Sequence, residues 1–270
     1  MDRQAVLAAF DEQIRRGATD PDSRIERDDH VIRYRAGDGG WNGVLWSDLD
    51  ERNADEVIAE QIRQLADAAG PWEWKHFSYD RPSDLPDRLA AAGFEREPDE
   101  TMVVAEIADL DLDVAPPGGV ELRPVVDERD VEALVAVHDE VFGDDHSSTG
   151  RAILAGLAHE PTTVAGVVAW AGDTPICAAR VEFYLGTDFA SLWGGGTVPE
   201  WRGRGVFRSV VAYRAALAAE RGFRYLQVDA SDDSRPILER LGFVVLATTT
   251  PFTYPGASPV TRRACPSTSP

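Results

Sequence analysis

The sequence predicts an α+β protein: a twisted mixed sheet flanked by helices, preceded by a reduced copy of part of the same pattern. Three observations predict this. Residues 162–198 hold three β-rich runs, "TTVAGVVAWA", "TPICAARVEFY" and "FASLWGGGTV", joined by "GDT" and "LGTD", connections that suit antiparallel hairpins. The last run passes through a helical pattern into another strand, and a helical crossover makes neighbouring strands parallel, so the sheet is mixed. The order helix, strand, short helix closing on Gly-Phe, strand also occurs twice.

In chain order, "MDRQAVLAAFDEQIRRGA" is an amphipathic, partly acidic helix without the apolar core or cleavage site of a signal peptide. "WSDLDERNAD" is acidic and free of glycine. The first copy follows as "ADEVIAEQIRQLADAAG", "WEWKHFSYD", "SDLPDRLAAAGF" and "ETMVVAEI". "DVAPPGGVELRPV" (Asp113–Val125) then sets two prolines and two glycines before a fresh apolar alternation. The domain boundary is placed there, at Pro116–Gly119, which divides the chain into 1–115 and 118–255. "GVELRPVV" reads as a strand, and "DERDVEALVAVHDEVFG" and "STGRAILAGLAHE" as helices. After the hairpins comes the second copy: "GVFRSVVAYRAALAAERG", "FRYLQVDAS", "DSRPILERLGF" and "VVLATTTPF". Gly70 to Phe94 spans 24 positions and Gly222 to Phe243 spans 21, as a duplicated half-domain requires. Residues 256–270, "GASPVTRRACPSTSP", read as a disordered tail.

Composition narrows the function. The 270 residues are 43% apolar, enough for a packed core. The net charge is −20, with 28 acidic against 13 basic residues in 1–115, so nucleic acid and anionic lipid are excluded as partners. The longest apolar run, Val164–Ala171, is less than half of a membrane span. Cys177 and Cys265 stand 88 positions apart, which gives neither a disulfide framework nor a metal-ligand spacing. No metal and a cytoplasmic setting are therefore expected.

The stretch "WGGGTVPEWRGRGVFRS" (Trp193–Ser209) carries the chemistry. The first turn of a helix presents amides without intrahelical acceptors, and its dipole adds positive charge. Gly203 and Gly205 keep Cβ atoms away from that point, and Arg202, Arg204 and Arg208 surround it with charge, which suits a diphosphate. A Walker-type loop would need lysine, and a dinucleotide fingerprint would need glycine where Arg208 stands. The helix behind shows an apolar stripe at Val206, Val210, Tyr213 and Leu217, with Arg214 and Arg221 off it.

These residues resemble the GNAT superfamily of acyl-CoA-dependent N-acetyltransferases. Val198–Ser209 is similar to that family's pyrophosphate loop, Gln/Arg-x-x-Gly-x-Gly/Ala; Arg202 and Gly205 match, and Phe207 replaces the last small residue. "RPILERLGF" (Arg235–Phe243) resembles its second landmark, and the likeness covers about Gly118 to Tyr254. It implies a GNAT-type sheet in which the bulged strand at Gly194–Gly196 splays from its neighbour. It also implies acetyl-CoA as co-substrate. The backbone of Gly196, Thr197 and Val198 would bond the pantetheine amides, and Arg202, Gly203, Arg204, Gly205, Val206 and Phe207 would hold the diphosphate. The N-terminal half, lacking such a loop, would be a degenerate GNAT-like domain.

The implied reaction is direct attack of a primary amine, on a small molecule or peptide, upon the acetyl thioester. The acidic first half favours a cationic acceptor such as a polyamine, aminoglycoside or basic peptide. Where many members place a tyrosine acid, this chain has Leu238; Ser231, Ser234 or Tyr254 are the remaining proton donors. The strand "FASLWGGG" has no acid, so Glu182 and Asp229 are the candidate bases. His138 and His146 lie in the helical region turned toward the acceptor and have no assigned role. The alternative is a non-catalytic acyl-CoA-binding or regulatory module; a scaffold binding neither substrate is the third possibility.

Overall fold

In the computed structural model, residues 1–36, 41–66 and 70–255 are described; the tail proposed at 256–270, with Cys265, lies outside them. The first half runs α1 (Arg3–Phe10), which continues as a π-helical turn (Asp11–Arg16), then β1 (Ser23–Arg27), β2 (Val31–Ala36) and β3 (Gly43–Ser47). It goes on through α2 (Ala54–Gln64), β4 (Trp72–Phe77), α3 (Leu85–Ala91), β5 (Glu95–Arg96) and β6 (Glu100–Glu106). The second half runs β7 (Val120–Val125), α4 (Glu128–Phe142), α5 (Ser147–Leu157), β8 (Val164–Ala171), β9 (Thr174–Phe183) and β10 (Phe189–Thr197). It ends with α6 (Val206–Glu220), β11 (Tyr225–Ala230), α7 (Arg235–Arg240) and β12 (Val244–Tyr254).

Among the described residues, all twelve strands join one sheet, in the order β1-β2-β3-β4-β12-β6-β11-β10-β9-β8-β7, with β5 on β12. The duplication read from the sequence is visible here: β3 lies parallel to β4, as β10 lies parallel to β11. The last strand of each half, however, pairs in the other half. β6 runs antiparallel to β11, β12 runs antiparallel to β4, and β6 and β12 meet antiparallel in the centre. A chain boundary between 115 and 118 therefore does not divide the sheet.

Local chemistry explains the helix ends. Asp127 caps α4 by accepting from the Asp130 amide at 3.0 Å, while the Asp130 carboxylate accepts from the Val126 amide at 3.0 Å. Such a reciprocal cap stabilises a helix start by about 1 kcal/mol. Gly143 ends the helix at φ 83°, the left-handed position where glycine carries no steric penalty. Val131, Leu134 and Val137 of α4 pack on β8 and β9. Helix α6 buries Val206, Val210, Val211, Ala215 and Ala218, and its alanines let it lie close to the sheet. The predicted stripe needs correction here, because Tyr213 and Leu217 are only half-buried while Arg214 is fully buried. Helix α1 ties the halves together: Phe10 meets Phe77 of β4 and Phe189 of β10, with ring centroids 6.0 and 5.6 Å away.

Candidate active site

Strands β10 and β11 pair only at Phe189–Tyr225, Ala190–Leu226 and Ser191–Gln227. From Leu192 onward the edge of β10 has no strand partner toward β11, while β11 stays paired with β6 as far as Ala230. The sheet splays there. On its other side β10 bulges against β9 between Trp193 and Gly196, as the glycines predicted, with Gly194 at φ 58°.

The three glycines have a further cause that the sequence did not reveal. A Cβ on Gly194 would stand 2.6 Å from His138 Cε1, and one on Gly196 would stand 2.9 Å from Val141 Cγ1, both side chains of α4. On the opposite face, a Cβ on Gly195 would stand 2.8 Å from Phe207 Cε2 of α6. Two helices thus press side chains directly onto the bulged backbone. The carbonyls displaced by the bulge are served by Arg214, which donates to Arg180 O at 3.0 Å and Trp193 O at 3.5 Å, and also to Val210 O at 3.2 Å. Burial lowers its pKa to about 10.

The loop into α6 is open. Gly203 and Gly205 hold φ of 73° and 90°, and a Cβ on either would meet nothing within 4 Å. Their glycines answer to backbone conformation, and the space before them is free. Among the described residues, the amides of Gly203 through Arg208 have no hydrogen-bond acceptor, and α6 has no side-chain cap. Arg204 stacks over Trp201 at 4.9 Å, and Arg208 pairs with Asp111 of the inter-half connection at 3.2 Å. Between that connection and α6 lies a small open cleft of about 30 Å³, lined by Leu110, Val114, Val211, Ala215 and Leu241 among others. The equivalent start in the first half is shut: Asp50 accepts from the amides of Arg52 and Asn53 before α2.

One expectation about the strand backbone is corrected. Val198 donates its amide to Ile176 O of β9 at 3.0 Å. Backbone groups alternate sides along a strand, so those of Gly196 also face β9 and only Thr197 turns toward the splay. The Thr197 carbonyl already accepts from Arg202 Nε at 3.0 Å, so Arg202 straps the loop to the strand.

On the α4 side of the sheet, polar groups surround Trp193. Its indole donates to Ser191 Oγ, which donates to Tyr184 Oη at 3.1 Å. Glu182 is held by Arg180 Nε at 2.7 Å. Asp229, nearly buried, accepts from Gln227 at 2.9 Å and lies 2.6 Å from Lys75 Nζ, the ammonium of the only lysine in the chain. Lys75 belongs to β4, which is separated from β11 by two strands. Their meeting requires a concave sheet and brings a first-half residue into the second half's site. Burial alone would lower the Lys75 pKa, but Asp229, Glu100 and Glu73 outweigh it and hold the ammonium above its ordinary value. Burial and the nearby Asp229 charge raise Glu100 against the pull of Lys75.

Tyr254 does not join this group. It sits at the far end of β12, opposite Trp72 and against Phe94, so the proton-donor role is withdrawn on geometry. Ser231 and Ser234 bond each other at the start of α7, at 3.2 Å between oxygens, and Leu238 is buried in the core.

No protein-family model matches the chain, and no curated protein matches it. Solved structures do. One similar structure is a GCN5-related N-acetyltransferase from Kribbella flavida, 19% identical, covering 94% of this chain and 95% of its own, with a TM-score of 0.65. A tandem GNAT protein from the clavulanic acid biosynthesis pathway is 15% identical over 89% and 86%, with a TM-score of 0.59. A GCN5-related N-acetyltransferase from Sphaerobacter thermophilus is 14% identical over 94% and 92%, with a TM-score of 0.55. The splayed strands, the bulge and the open helix start thus sit in a chain that has the fold of the GCN5-related N-acetyltransferase superfamily.

Proposed function

We propose that the protein transfers an acetyl group from acetyl-CoA to a primary amine by direct attack within a ternary complex. One observation carries the reading. Six successive amides, Gly203 to Arg208, lack acceptors at the start of α6, beside the unpaired edge of β10. Such a nest suits a diphosphate, and an unpaired strand edge suits the amides of a pantetheine arm. Likeness in fold to structures named as N-acetyltransferases supports the same reading. The C-terminal half holds the cofactor, and the N-terminal half walls the acceptor side through Lys75.

Arg180 and Lys75 lie within 6.0 Å of the Trp193 ring, and the carboxylates paired with them, Glu182, Asp229 and Glu100, outnumber them. That balance favours a small cationic amine as the acceptor. Calorimetry with acetyl-CoA, followed by thiol release against cationic and neutral amines, tests the proposal. Binding is expected, with turnover fastest for amines carrying a second positive charge. Equal or better turnover of neutral amines refutes the charge argument alone. The buried Leu238, standing where the family resemblance leads one to expect a tyrosine acid, favours a second reading as a non-catalytic acyl-CoA-binding module. Binding without thiol release across the amine panel selects that reading.

A further inference from the structure

Arg214 carries a buried charge that nothing balances. It is 2% exposed, and among the described residues no carboxylate pairs with it. The charged and titratable groups that face it are Arg180 and Cys177, both on β9. Arg180 is a second cation, already held by Glu182 at 2.7 Å. Burial pushes the Cys177 thiol up, so it is neutral at physiological pH and supplies no countercharge. Burying an unpaired ion is costly, so the position calls for an explanation. The three carbonyls it serves need donors and not a charge, and they use only part of the group. Of the five N–H donors of a guanidinium, Nε gives one to Val210 O, and Nη1 gives one each to Arg180 O and Trp193 O. The hydrogens on Nη2 have no acceptor among the described residues. A Cβ on Gly195 would stand 3.5 Å from Nη2, so these hydrogens lie against the segment of β10 that has parted from β11. Arg214 also stands about 12 Å along the helix axis from Val206, well beyond the bare amides at the start of α6.

We propose that Arg214 acts through the bulged backbone of β10 as an electrostatic positioning residue, its cation stabilising the oxyanion formed when the amine attacks the thioester. The inference rests on the acyl-transfer reading above. The amine lone pair forms the C–N bond, and the carbonyl π pair moves to oxygen, which becomes negative. The nitrogen then gives its proton to water. The electron pair returns from oxygen, the C–S bond breaks with its pair on sulfur, and the thiolate takes a proton from water.

The thioester oxygen is fully charged only in the middle of this sequence. A cation aimed at it therefore lowers the barrier and leaves binding of the ground state nearly unchanged. Neighbouring strand positions are about 4.8 Å apart, so a group lying along the unpaired edge of β10 is within about one strand spacing of the bulged backbone. The intervening medium is protein and not water, which strengthens the interaction of charges. With its pKa at about 10, Arg214 keeps its charge at physiological pH.

The test compares R214K with R214Q in the full chain. Both variants disturb the bonds to the three carbonyls, but only R214K keeps a cation. Acetyl-CoA affinity is expected to stay within about threefold of wild type in both, while kcat near pH 7 falls about 100-fold in R214Q and less than tenfold in R214K. Burial lowers the pKa of a lysine, so kcat of R214K is expected to fall as pH rises through that lowered value, a profile that a purely structural role would not produce. Infrared spectra of carbonyl-labelled acetyl-CoA give a readout without turnover. The carbonyl stretch is expected at lower frequency on wild type than in free acetyl-CoA, and to move back toward the free value on R214Q. Equal kcat in the two variants, or a wild-type stretch no lower than that of free acetyl-CoA, overturns the proposal. Where no amine turns over or neither variant folds, the wild-type stretch decides. Wild-type protein that fails to bind acetyl-CoA overturns the cofactor reading itself, and the role of Arg214 falls with it.

Discussion

Phe207 and Gly195 explain each other. The family resemblance places a small residue at position 207, and here a large ring fills the space that a strand side chain at 195 would take, with 2.8 Å between Phe207 Cε2 and a Gly195 Cβ. Gly195→Ala overpacks that contact and is expected to destabilise by about 1–3 kcal/mol. In a Phe207→Ala background the same change is expected to cost much less, and a denaturation double-mutant cycle reads the coupling. The sequence showed the glycines and the oversized residue separately, but their contact depends on how far α6 descends onto the strand. His138 adds a pH dependence. Its unfolded pKa is near 6.5 and its folded value about 4, so the unfolded chain binds more protons in that window. Stability is full above pH 6.5 and falls by about 3 kcal/mol as pH drops through 4. His76, also lowered, acts in the same direction. H138Q is expected to flatten the slope measured by urea unfolding between pH 6.5 and 4, and an unchanged slope would remove His138 as its source.

At the scale of elements, the starts of α2 and α6 differ as the sequence predicted. The glycine-free "WSDLDERNAD" fills its helix start with the Asp50 carboxylate, and "RGRGVF" leaves its own amides bare. Helix order, the hairpins, the bulge and the loop were legible because each is fixed by residues close together in the chain. Strands β1 to β3 were not assigned: two arginines interrupt each of "SRIER" and "VIRYRA", where ion pairs such as Arg33–Glu26 at 2.6 Å take the place of apolar alternation, and β3, "GVLWS", is only five residues long. Arg214 was misplaced for a related reason. A guanidinium reads as surface until the bulge creates carbonyls for it to serve. Arg214→Met leaves those carbonyls without a donor and is expected to destabilise by about 2–4 kcal/mol, read by thermal or chemical unfolding.

For the whole molecule, the exchange of β6 and β12 makes the two halves one folding unit. No local signal could reveal it, because either terminal strand offers similar apolar faces to either half. Lys75 was overlooked on the same account, as its partner Asp229 lies 154 positions along the chain. Separate fragments 1–116 and 117–270 each lack a strand from the sheet centre. They are expected to be unfolded or aggregated alone and to regain native circular dichroism when co-expressed; two independently folded fragments would contradict the interlocked sheet. The shared sheet also places the first half's Lys75 beside the second half's splay. That arrangement serves catalysis only if the bare amides of residues 203–208 bind a diphosphate. Gly205→Glu puts a carboxylate at a φ of 90° where the anion would lie. Titration calorimetry of acetyl-CoA into wild type and into this variant tests the claim directly: the account predicts binding by wild type and a loss of at least about 100-fold in a folded variant. Equal affinity in the two proteins would contradict it.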